Sequence, residues 1–224
     1  MCGRFAFYSP REAVTRTFGI EFPVELEARF NVAPTQNVAA IRGGENGVLE
    51  PAMLRWGLIP SWAKDKAIGN RTINARAETV HQKPAYRSAF RRRRCVVLAD
   101  GFYEWRKTDS GKIPHYVTTT SDEPFAMAGL WERWEADGSL LETCTIITTT
   151  ANRVIAPLHE RMPVILSSDD VSRWIEPTTG SADESLNKLQ ALLERCGDEL
   201  LHFWAVKGLV NNPSHEGPEL IEPS

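Results

Sequence analysis

The sequence predicts an α+β fold, in which a curved or barrel-like sheet is flanked by peripheral helices. Most of the chain consists of short apolar or alternating runs separated by clusters of Gly, Pro, Asp and Ser, a pattern typical of strands joined by turns. Helix signals are confined to one segment near the N-terminus and two segments after residue 166. The 224 residues suffice for one large core, so we expect a single domain over residues 1–224, with a tail after about residue 210 that packs or extends.

The first helix is predicted to run to about residue 18, after a strand-like N-terminal segment, CGRFAFY. Ser9 is a suitable capping residue, Pro10 suits the first helical position, and Glu12 follows the cap by three residues, as in a capping box. The chain is therefore expected to begin with a strand and a helix.

Eight strands are expected between this helix and the two later ones. The runs that predict them lie at 37–42, 50–58, 95–99, 102–105, 114–120, 125–131, 141–149 and 163–166. Several short strands at such spacing favour a barrel or another strongly curved sheet. The polar segment NRTINARAE, at 70–78, is too short for a confident helix and is predicted to be a structured loop.

Two further helices are predicted at 167–175 and 181–196. In the second, four leucines share one face: Leu186, Leu189, Leu192 and Leu193. Gly197 is a stop signal for this helix. Both helices are expected to pack against the sheet.

The composition is that of a globular protein without a membrane segment. Hydrophobic residues make up 42% and charged residues 25%, and no apolar run approaches the length of a membrane span. The N-terminus lacks the basic and apolar regions of a signal peptide, so we expect a cytoplasmic protein. The net charge of −3 argues against a protein that coats nucleic acid indiscriminately, although a local basic groove is compatible with it.

The four cysteines are far apart, and no Cys or His pair has the spacing of a zinc site. We therefore expect neither a metal nor a cofactor. Cys95 and Cys144 lie in apolar runs and are predicted to be buried free thiols.

Cys2 differs from the other cysteines because it follows the initiator Met1. If an aminopeptidase removes Met1, Cys2 carries a free α-amine beside its thiol. About a tenth of such amines are neutral and nucleophilic at pH 7, and the thiol adds a second strong nucleophile to the same residue. The two groups together are a reagent for aldehydes. The structural alternative is that Cys2 is one more small apolar residue at a chain end.

Aldehydes in biology are often masked, and the abasic deoxyribose of DNA is mainly a closed hemiacetal. Opening it requires an acid and a base within hydrogen-bond reach. Glu104, in ADGFYEW, and His159, in LHERMP, are candidates for this pair, and Asn74 is an amide able to orient the amine or a sugar oxygen. Each also has a structural interpretation, as a solvent-facing strand residue, a structural histidine or a turn former.

Arginines and tryptophans supply candidate contacts to nucleic acid. A guanidinium suits phosphate, and an aromatic face stacks on unpaired bases without sequence preference. The candidates are Arg4, Arg76 and Arg161 for phosphate, with Trp62 and Trp56 as stacking or wedge surfaces. The basic run at 91–94 is left out of the site, since a solvated face before the next strand explains it equally well.

Seven motifs spread along nearly the whole chain point to a known family. They are MCGRF at 1–5, NVAPTQ at 31–36, WGLIPSWAKD at 56–65, INARAET at 73–79, RCVVLADGFYEW at 94–105, LHERMPVIL at 158–166 and ELIEP at 219–223. Together they resemble the SOS response-associated peptidase family, whose members are also described as abasic-site processing proteins. The resemblance implies a mostly β, barrel-like single domain that binds single-stranded DNA and cross-links itself covalently to abasic sites.

The resemblance also implies roles for individual residues. Cys2 matches the nucleophile, whose amine condenses with the open sugar and whose thiol closes a thiazolidine ring. Asn74 matches the asparagine that holds the cysteine and the sugar. Glu104 matches the acid/base carboxylate that helps to open the sugar ring, and His159 matches the histidine that transfers protons to the sugar oxygen.

The same resemblance assigns the DNA contacts and the accessory activities. Arg4, Arg76 and Arg161 match arginines that contact phosphate, and Trp62 falls in the loop that wedges near the lesion. An autopeptidase step that removes the residues ahead of Cys2 is implied, and weak strand cleavage by a lyase reaction is expected from the imine. Abasic single-stranded DNA and replication-fork proteins are the expected partners, with a nucleoid association on DNA and a monomer sufficient for one lesion.

Three other functions stay open on the sequence. An N-terminal-nucleophile amidohydrolase of the glutaminase type also matures to a Cys-Gly terminus, and it would use Cys2 on an amide carbonyl next to an oxyanion hole. A non-covalent DNA-binding module would bind single strands without using Cys2. A protease that acts on other proteins is the literal sense of the family name.

Overall fold

The computed structural model describes residues 2–44, 48–121, 123–136, 138–177, 181–193 and 197–224. In chain order the strands are β1 (Phe5–Phe7), β2 (Arg29–Val32), β3 (Asn37–Gly43), β4 (Leu49–Trp56), β5 (Asn74–Arg76), β6 (Arg94–Ala99), β7 (Gly101–Thr108), β8 (Gly111–Thr119), β9 (Phe125–Ala136), β10 (Ser139–Thr150), β11 (Arg161–Pro163), β12 (Ile165–Leu166) and β13 (Leu201–Ala205). The α-helices are α1 (Arg11–Phe18), α2 (Arg87–Arg92), α3 (Ser168–Ile175) and α4 (Ala182–Leu192).

Five strands close into a barrel, which confirms the predicted fold class. β10 pairs with β4, β4 with β3, β3 with β6, β6 with β9, and β9 again with β10. All of these pairs are antiparallel except β4 with β10. Closure gives each of these strands a neighbour on both sides over part of its length, and among the described residues β4 meets β10 only at Arg55 and Trp56. The short helices lie around the barrel.

The long strand β9 pairs with β6 in its first half and with β10 in its second half, and Gly129 lies where the two pairings overlap. A Cβ atom there would lie 2.8 Å from the backbone oxygen of Thr145 and 3.2 Å from the sulfur of Cys95. Only glycine therefore lets β9 approach β10 this closely, and the approach closes the barrel.

A second, five-stranded sheet has the order β13-β8-β7-β1-β2. It leaves the barrel at Asp100, directly after β6. The backbone of Gly101 pairs with that of Ala6 in β1, and a Cβ atom on Gly101 would overlap the buried ring of Tyr116. This turn thus starts β7 beside β1, the strand that follows Cys2.

The predicted start of the first helix is wrong by one residue. Helix α1 begins at Arg11, and Pro10 occupies the N-cap position without a side-chain hydrogen bond. The hydroxyl of Ser9 instead donates to Asp100 Oδ1 at 2.5 Å, while the amides of Tyr8 and Ser9 donate to Oδ2. Ser9 therefore ties the N-terminal segment to the turn between the sheets.

The two later helices form where their capping signals predict. Ser167 caps α3 by accepting from the amide of Asp170, and Ser181 and Glu184 form a complete capping box at the start of α4. The predicted apolar face packs inward, with Leu189, Leu192 and Leu193 buried. Residues 194–196, the end of the predicted 181–196 helix and the position of Cys196, lie outside the described residues.

Two other expectations are corrected by long-range contacts. The segment 70–78 is not a loop throughout, because a 3₁₀-helix covers Lys66–Arg71 and β5 then pairs in parallel with β10. In the basic run at 91–94, Arg94 is only 3% exposed and donates to the backbone oxygens of Phe90, Arg91 and Trp174. This arginine ties α2 and α3 to the barrel and is not part of a solvated face.

The eight predicted strands are all present, with 163–166 divided between β11 and β12. Cys95 and Cys144 are fully buried free thiols, as predicted. Within the described ranges, no helix has the length and apolar composition that a membrane span requires. The tail packs back against β13, where Trp204 Nε1 donates to the Ile221 oxygen and Leu220 is fully buried.

Candidate active site

Cys2 lies at the centre of the candidate site and is fully buried. The antiparallel register of β1 and β7 pairs Phe5 with Phe102, and the amide of Tyr103 donates to the Arg4 oxygen at 3.0 Å. Continued by one more residue, this register sets Glu104 opposite the residue next to Cys2. The turn between the two sheets is thus what brings the carboxylate to the cysteine.

Burial controls the protonation of the Cys2 thiol. Loss of solvation, reinforced by the negative charge of Glu104, raises the pKa of this thiol to about 12. A thiol with this pKa is protonated at neutral pH, and its sulfur lies 3.8 Å from the Arg4 oxygen. Burial and the neighbouring carboxylate therefore both favour the neutral thiol at Cys2.

Asn74 fixes the backbone of Cys2. Its Nδ2 donates to the Cys2 oxygen at 2.7 Å, and β5 is itself held by its pairing with β10. The hydroxyl of Tyr86 donates to the Asn74 oxygen at 3.1 Å. The Oδ1 atom of Asn74 is buried and has no hydrogen-bond partner among the described residues. An amide oxygen in this position is suited to accept a hydrogen bond from a ligand or an amine.

Glu104 and His159 line the same cleft, although they are far apart in the sequence. The cleft has a volume of about 600 Å³, and its lining comprises Glu104, Trp105, Lys107, Lys112, His159 and Asn211. Glu104 is almost completely buried at its inner end. The cleft thus combines a carboxylate and an imidazole, the acid/base pair that opening of a sugar hemiacetal requires.

The backbone selects one tautomer of His159. The amide of Arg161 donates to His159 Nδ1 at 2.9 Å, so Nδ1 is the acceptor of this hydrogen bond. In the neutral ring the proton then resides on Nε2.

The three candidate phosphate ligands occupy different environments. Arg4 is half-buried and donates inward to Asn31 Oδ1 at 2.7 Å and to the Val210 oxygen at 2.9 Å, and burial lowers its pKa. Arg76 is exposed at the end of β5. Arg161 is largely buried in an ion pair with Glu78. Of the three candidate phosphate ligands, Arg76 is therefore the exposed one.

The two tryptophans of the WGLIPSWAKD motif have opposite environments. Trp62 is 60% exposed on a turn, as a wedge or stacking surface requires. Trp56 is fully buried, donates to the Ile73 oxygen and packs edge-on against Phe5. The interpretation of Trp56 as a stacking surface for bases is therefore wrong, because the barrel core encloses this ring.

Sequence reasoning missed several residues of the cleft. Lys107 and Lys112 lie directly opposite each other on β7 and β8, and both line the cleft. Two positive charges side by side favour the binding of an anion there. Trp105 Nε1 donates to Asn211 Oδ1 at 2.8 Å, which brings the C-terminal segment into the site. The two lysines near a predicted hairpin were a usable signal, whereas no local pattern predicts the contact with Asn211.

Comparison with known families gives a match over most of the chain. The family model described as SOS response associated peptidase (SRAP) matches residues 1–213. The chain is 44% identical over 228 residues to the abasic site processing protein YoaM of Bacillus subtilis, an alignment that covers 99% of this chain and 98% of that protein. It is 27% identical over 275 residues to the abasic site processing protein HMCES of Pongo abelii, covering 100% of this chain and 76% of that protein.

Solved structures share the fold. A crystal structure of a protein from Bacteroides thetaiotaomicron has a TM-score of 0.88 and 26% identity, with both chains covered in full. A crystal structure of a protein from Bordetella bronchiseptica has a TM-score of 0.77 and 26% identity, over 92% of this chain and all of that one. The barrel and the second sheet therefore recur in distant sequences.

Proposed function

The chain belongs to the SOS response associated peptidase family, and from that premise we propose that it processes abasic sites by forming a covalent cross-link with single-stranded DNA. The observation that carries the proposal is the arrangement around Cys2. Asn74 holds its backbone, Glu104 lies close enough to raise the pKa of its thiol, and the Glu104 cleft also contains His159.

The first step is the release of the terminal amine. Removal of Met1, by the protein itself or by an aminopeptidase, leaves Cys2 as the first residue. The closed sugar then opens as one group takes the proton of the anomeric hydroxyl and another protonates the ring oxygen. We assign these two transfers to Glu104 and His159, because both line one cleft and the neutral ring of His159 carries its proton on Nε2.

Covalent chemistry then proceeds in two stages. The neutral amine of Cys2 attacks the aldehyde carbon, and loss of one water gives an imine. The thiol adds to the imine carbon, a C–S bond forms, and the thiol proton passes to the nitrogen, which closes a thiazolidine. Burial and the charge of Glu104 favour the protonated thiol, so the neutral amine is the better nucleophile for the first attack.

Lyase activity belongs to the same intermediate. An imine at C1′ acidifies the neighbouring C2′ protons, and β-elimination of the 3′ phosphate breaks the strand. Ring closure by the thiol removes the imine and so suppresses this cleavage. Strand cleavage is therefore expected to be a minor reaction.

We assign the DNA contacts to Arg4, Arg76, Arg161 and Trp62. Arg76 and Trp62 are exposed and accessible to a single strand. Arg4 and Arg161 lie inside the surface and would contact phosphates only at close approach. Abasic single-stranded DNA is the expected substrate, and one protein monomer supplies one Cys2 for each lesion.

A denaturing gel tests the proposed function. The protein is incubated with a single-stranded oligonucleotide containing one abasic site and, as control, with the same oligonucleotide undamaged. A retarded band that survives denaturation is expected with the abasic strand only. Binding of both strands without such a band would mean a non-covalent DNA-binding module, and release of ammonia from glutamine would favour the amidohydrolase.

Asn74→Ala is expected to slow adduct formation by about 10- to 100-fold, because a misplaced nucleophile loses much of the advantage of positioning. Loss of a single hydrogen bond should cost only about 1 kcal/mol of stability. The measurement is the initial rate of adduct formation at saturating DNA. The matched control is Asn212→Ala, since the side-chain oxygen of Asn212 accepts a hydrogen bond from the nearby Ser214 amide and not from Cys2. A wild-type rate for Asn74→Ala would show that this amide does not position Cys2.

A further inference from the structure

Glu78, in the INARAET motif, has no part in the mechanism above, yet its carboxylate binds a residue of the proposed DNA site. Arg161 Nη1 lies 2.5 Å from Glu78 Oε1, and Arg161 Nη2 lies 3.0 Å from Glu78 Oε2. The Arg161 side chain is 12% exposed, whereas that of Glu78 is 49% exposed. The pair is bidentate, with its arginine enclosed and its carboxylate at the surface.

The same carboxylate interacts with a second arginine of the site. The hydrogen bond from Arg161 is the largest cause that lowers the pKa of Glu78, and the positive charge of Arg76 also lowers it. Arg76 and Glu78 are separated by one residue at the end of β5. Two of the three proposed phosphate ligands are thus partly neutralised by one anion of the protein.

Arg161 also retains an unused donor. Nη2 donates to the Thr148 oxygen at 2.5 Å as well as to Glu78. The Nε atom is buried and has no hydrogen-bond partner among the described residues. A guanidinium has five N–H donors, and a DNA phosphodiester offers two non-bridging oxygens and one negative charge, as a carboxylate does. A backbone phosphate can therefore take the place of Glu78 on the bidentate edge of Arg161.

We propose that Glu78 determines specificity as a resident competitor of the DNA phosphate: its carboxylate occupies the bidentate edge of Arg161, and a bound strand must displace it. This inference rests on the proposed function, since it takes Arg161 as a phosphate ligand. Displacement needs no backbone movement, because the Glu78 side chain is half exposed and can rotate into solvent. Bound DNA and the Glu78–Arg161 pair are then alternative states of one site.

The competition affects damaged and intact DNA differently. It weakens the reversible binding of every single strand, because every strand carries the phosphate that must replace Glu78. Covalent capture occurs only at an abasic site, and the captured strand no longer depends on reversible affinity. Glu78 therefore shortens the residence of the protein on intact DNA without releasing cross-linked lesions.

Equilibrium binding to an undamaged single-stranded oligonucleotide tests this role. Glu78→Gln keeps the size of the side chain and removes its charge, and we expect about fivefold tighter binding, the scale of one partly exposed ion pair. Fluorescence anisotropy at one fixed salt concentration gives the dissociation constants, since phosphate binding depends strongly on salt. Glu160→Gln, an exposed neighbour with the same change of charge, is the matched control and should bind like wild type.

Several outcomes would overturn the inference. One is an affinity of Glu78→Gln for single-stranded DNA that is equal to or weaker than that of wild type. Another is an equal gain of affinity in Glu160→Gln, which would mean that the overall charge of the protein, and not its contact with Arg161, changes DNA binding. In an Arg161→Gln background most of the Glu78→Gln gain should disappear, since only the interaction with Arg76 is left, and persistence of the full gain would also contradict the role. If Glu78→Gln does not fold, Glu78→Asp should still bind more tightly than wild type, because the shorter carboxylate reaches Arg161 less well, and weaker binding would refute the proposal.

The cross-linking gel separates this inference from the proposed function. If wild type forms the covalent adduct but Glu78→Gln shows no tighter binding, the inference fails alone. If no variant binds single-stranded DNA, both fail together.

Discussion

Cys2→Ser is expected to lose the adduct that survives a denaturing gel while it keeps a transient one. Serine is small enough for Met1 removal, so the amine remains and the imine still forms. The hydroxyl is a much poorer nucleophile than the thiol, and the imine hydrolyses before a ring closes. Because an intramolecular attack has an effective molarity of about 10⁵ M or more, loss of the thiol should reduce the stable adduct by at least about 100-fold.

Borohydride distinguishes imine formation by the amine from ring closure by the thiol. Reduction traps the imine, so Cys2→Ser should show a retarded band in its presence and almost none in its absence. Cys144→Ala is the control, because this thiol is buried in the barrel and should leave adduct formation intact. A wild-type yield of stable adduct from Cys2→Ser without borohydride would exclude the thiazolidine.

Trp56→Ala is expected to destabilise the whole domain by about 3–5 kcal/mol, the usual cost of truncating a buried tryptophan. Trp56 is fully buried, packs against Phe5 and donates to the Ile73 oxygen, one residue before Asn74. Its loss therefore leaves a cavity and removes one of two hydrogen bonds to the Ile73 oxygen, while the amide of Ile146 still donates to it. Denaturant unfolding measures the effect. The free energy of unfolding of Trp56→Phe should fall between those of wild type and Trp56→Ala, because phenylalanine keeps most of the packing.

Trp62→Ala is the matched control for this tryptophan. Its side chain is 60% exposed, and its removal should change the free energy of unfolding by no more than about 0.5 kcal/mol. DNA binding should instead weaken in Trp62→Ala. If Trp56→Ala were as stable as wild type and only DNA binding fell, the stacking interpretation of Trp56 would be restored.

Local signals in the sequence predict much of the fold. Ser167 and Ser181 cap helices as expected because capping depends on residues within one turn. The eight strand runs are recovered because alternation records which side chains face a core. Barrel closure itself depends on the pairing of β9 with β10 and of β4 with β10, which local alternation does not specify.

The errors share one physical cause, which is a distant partner. Ser9 is a suitable cap by its position, yet Asp100 takes its hydroxyl. Arg94 belongs to a basic run, yet carbonyl groups of α2 and α3 surround its guanidinium. Trp56 lies in the same motif as Trp62, and only the tertiary structure shows that the first is buried and the second exposed.

The candidate site was predictable where chemistry restricts the residue type. A reagent for a masked aldehyde needs an acid and a base nearby to open the hemiacetal, which restricts the candidates to residues such as Glu and His. Glu104 and His159 both line one cleft. Residues that act through another side chain have no such signature. The pairing of Glu78 with Arg161 joins residues 83 positions apart, and nothing in the INARAET motif indicates it.

The position of β1 in its sheet has a mechanical consequence for a protein attached to DNA. A chain terminus is normally the first part of a protein to fray, but β1 lies between β7 and β2, and the Asp100 carboxylate anchors the segment that follows it. Tension applied through the DNA at Cys2 would load these hydrogen bonds together along the strand. A DNA strand bound covalently to Cys2, as proposed, would thus be tethered to an inner strand of this sheet, and pulling the protein off would require the sheet to come apart.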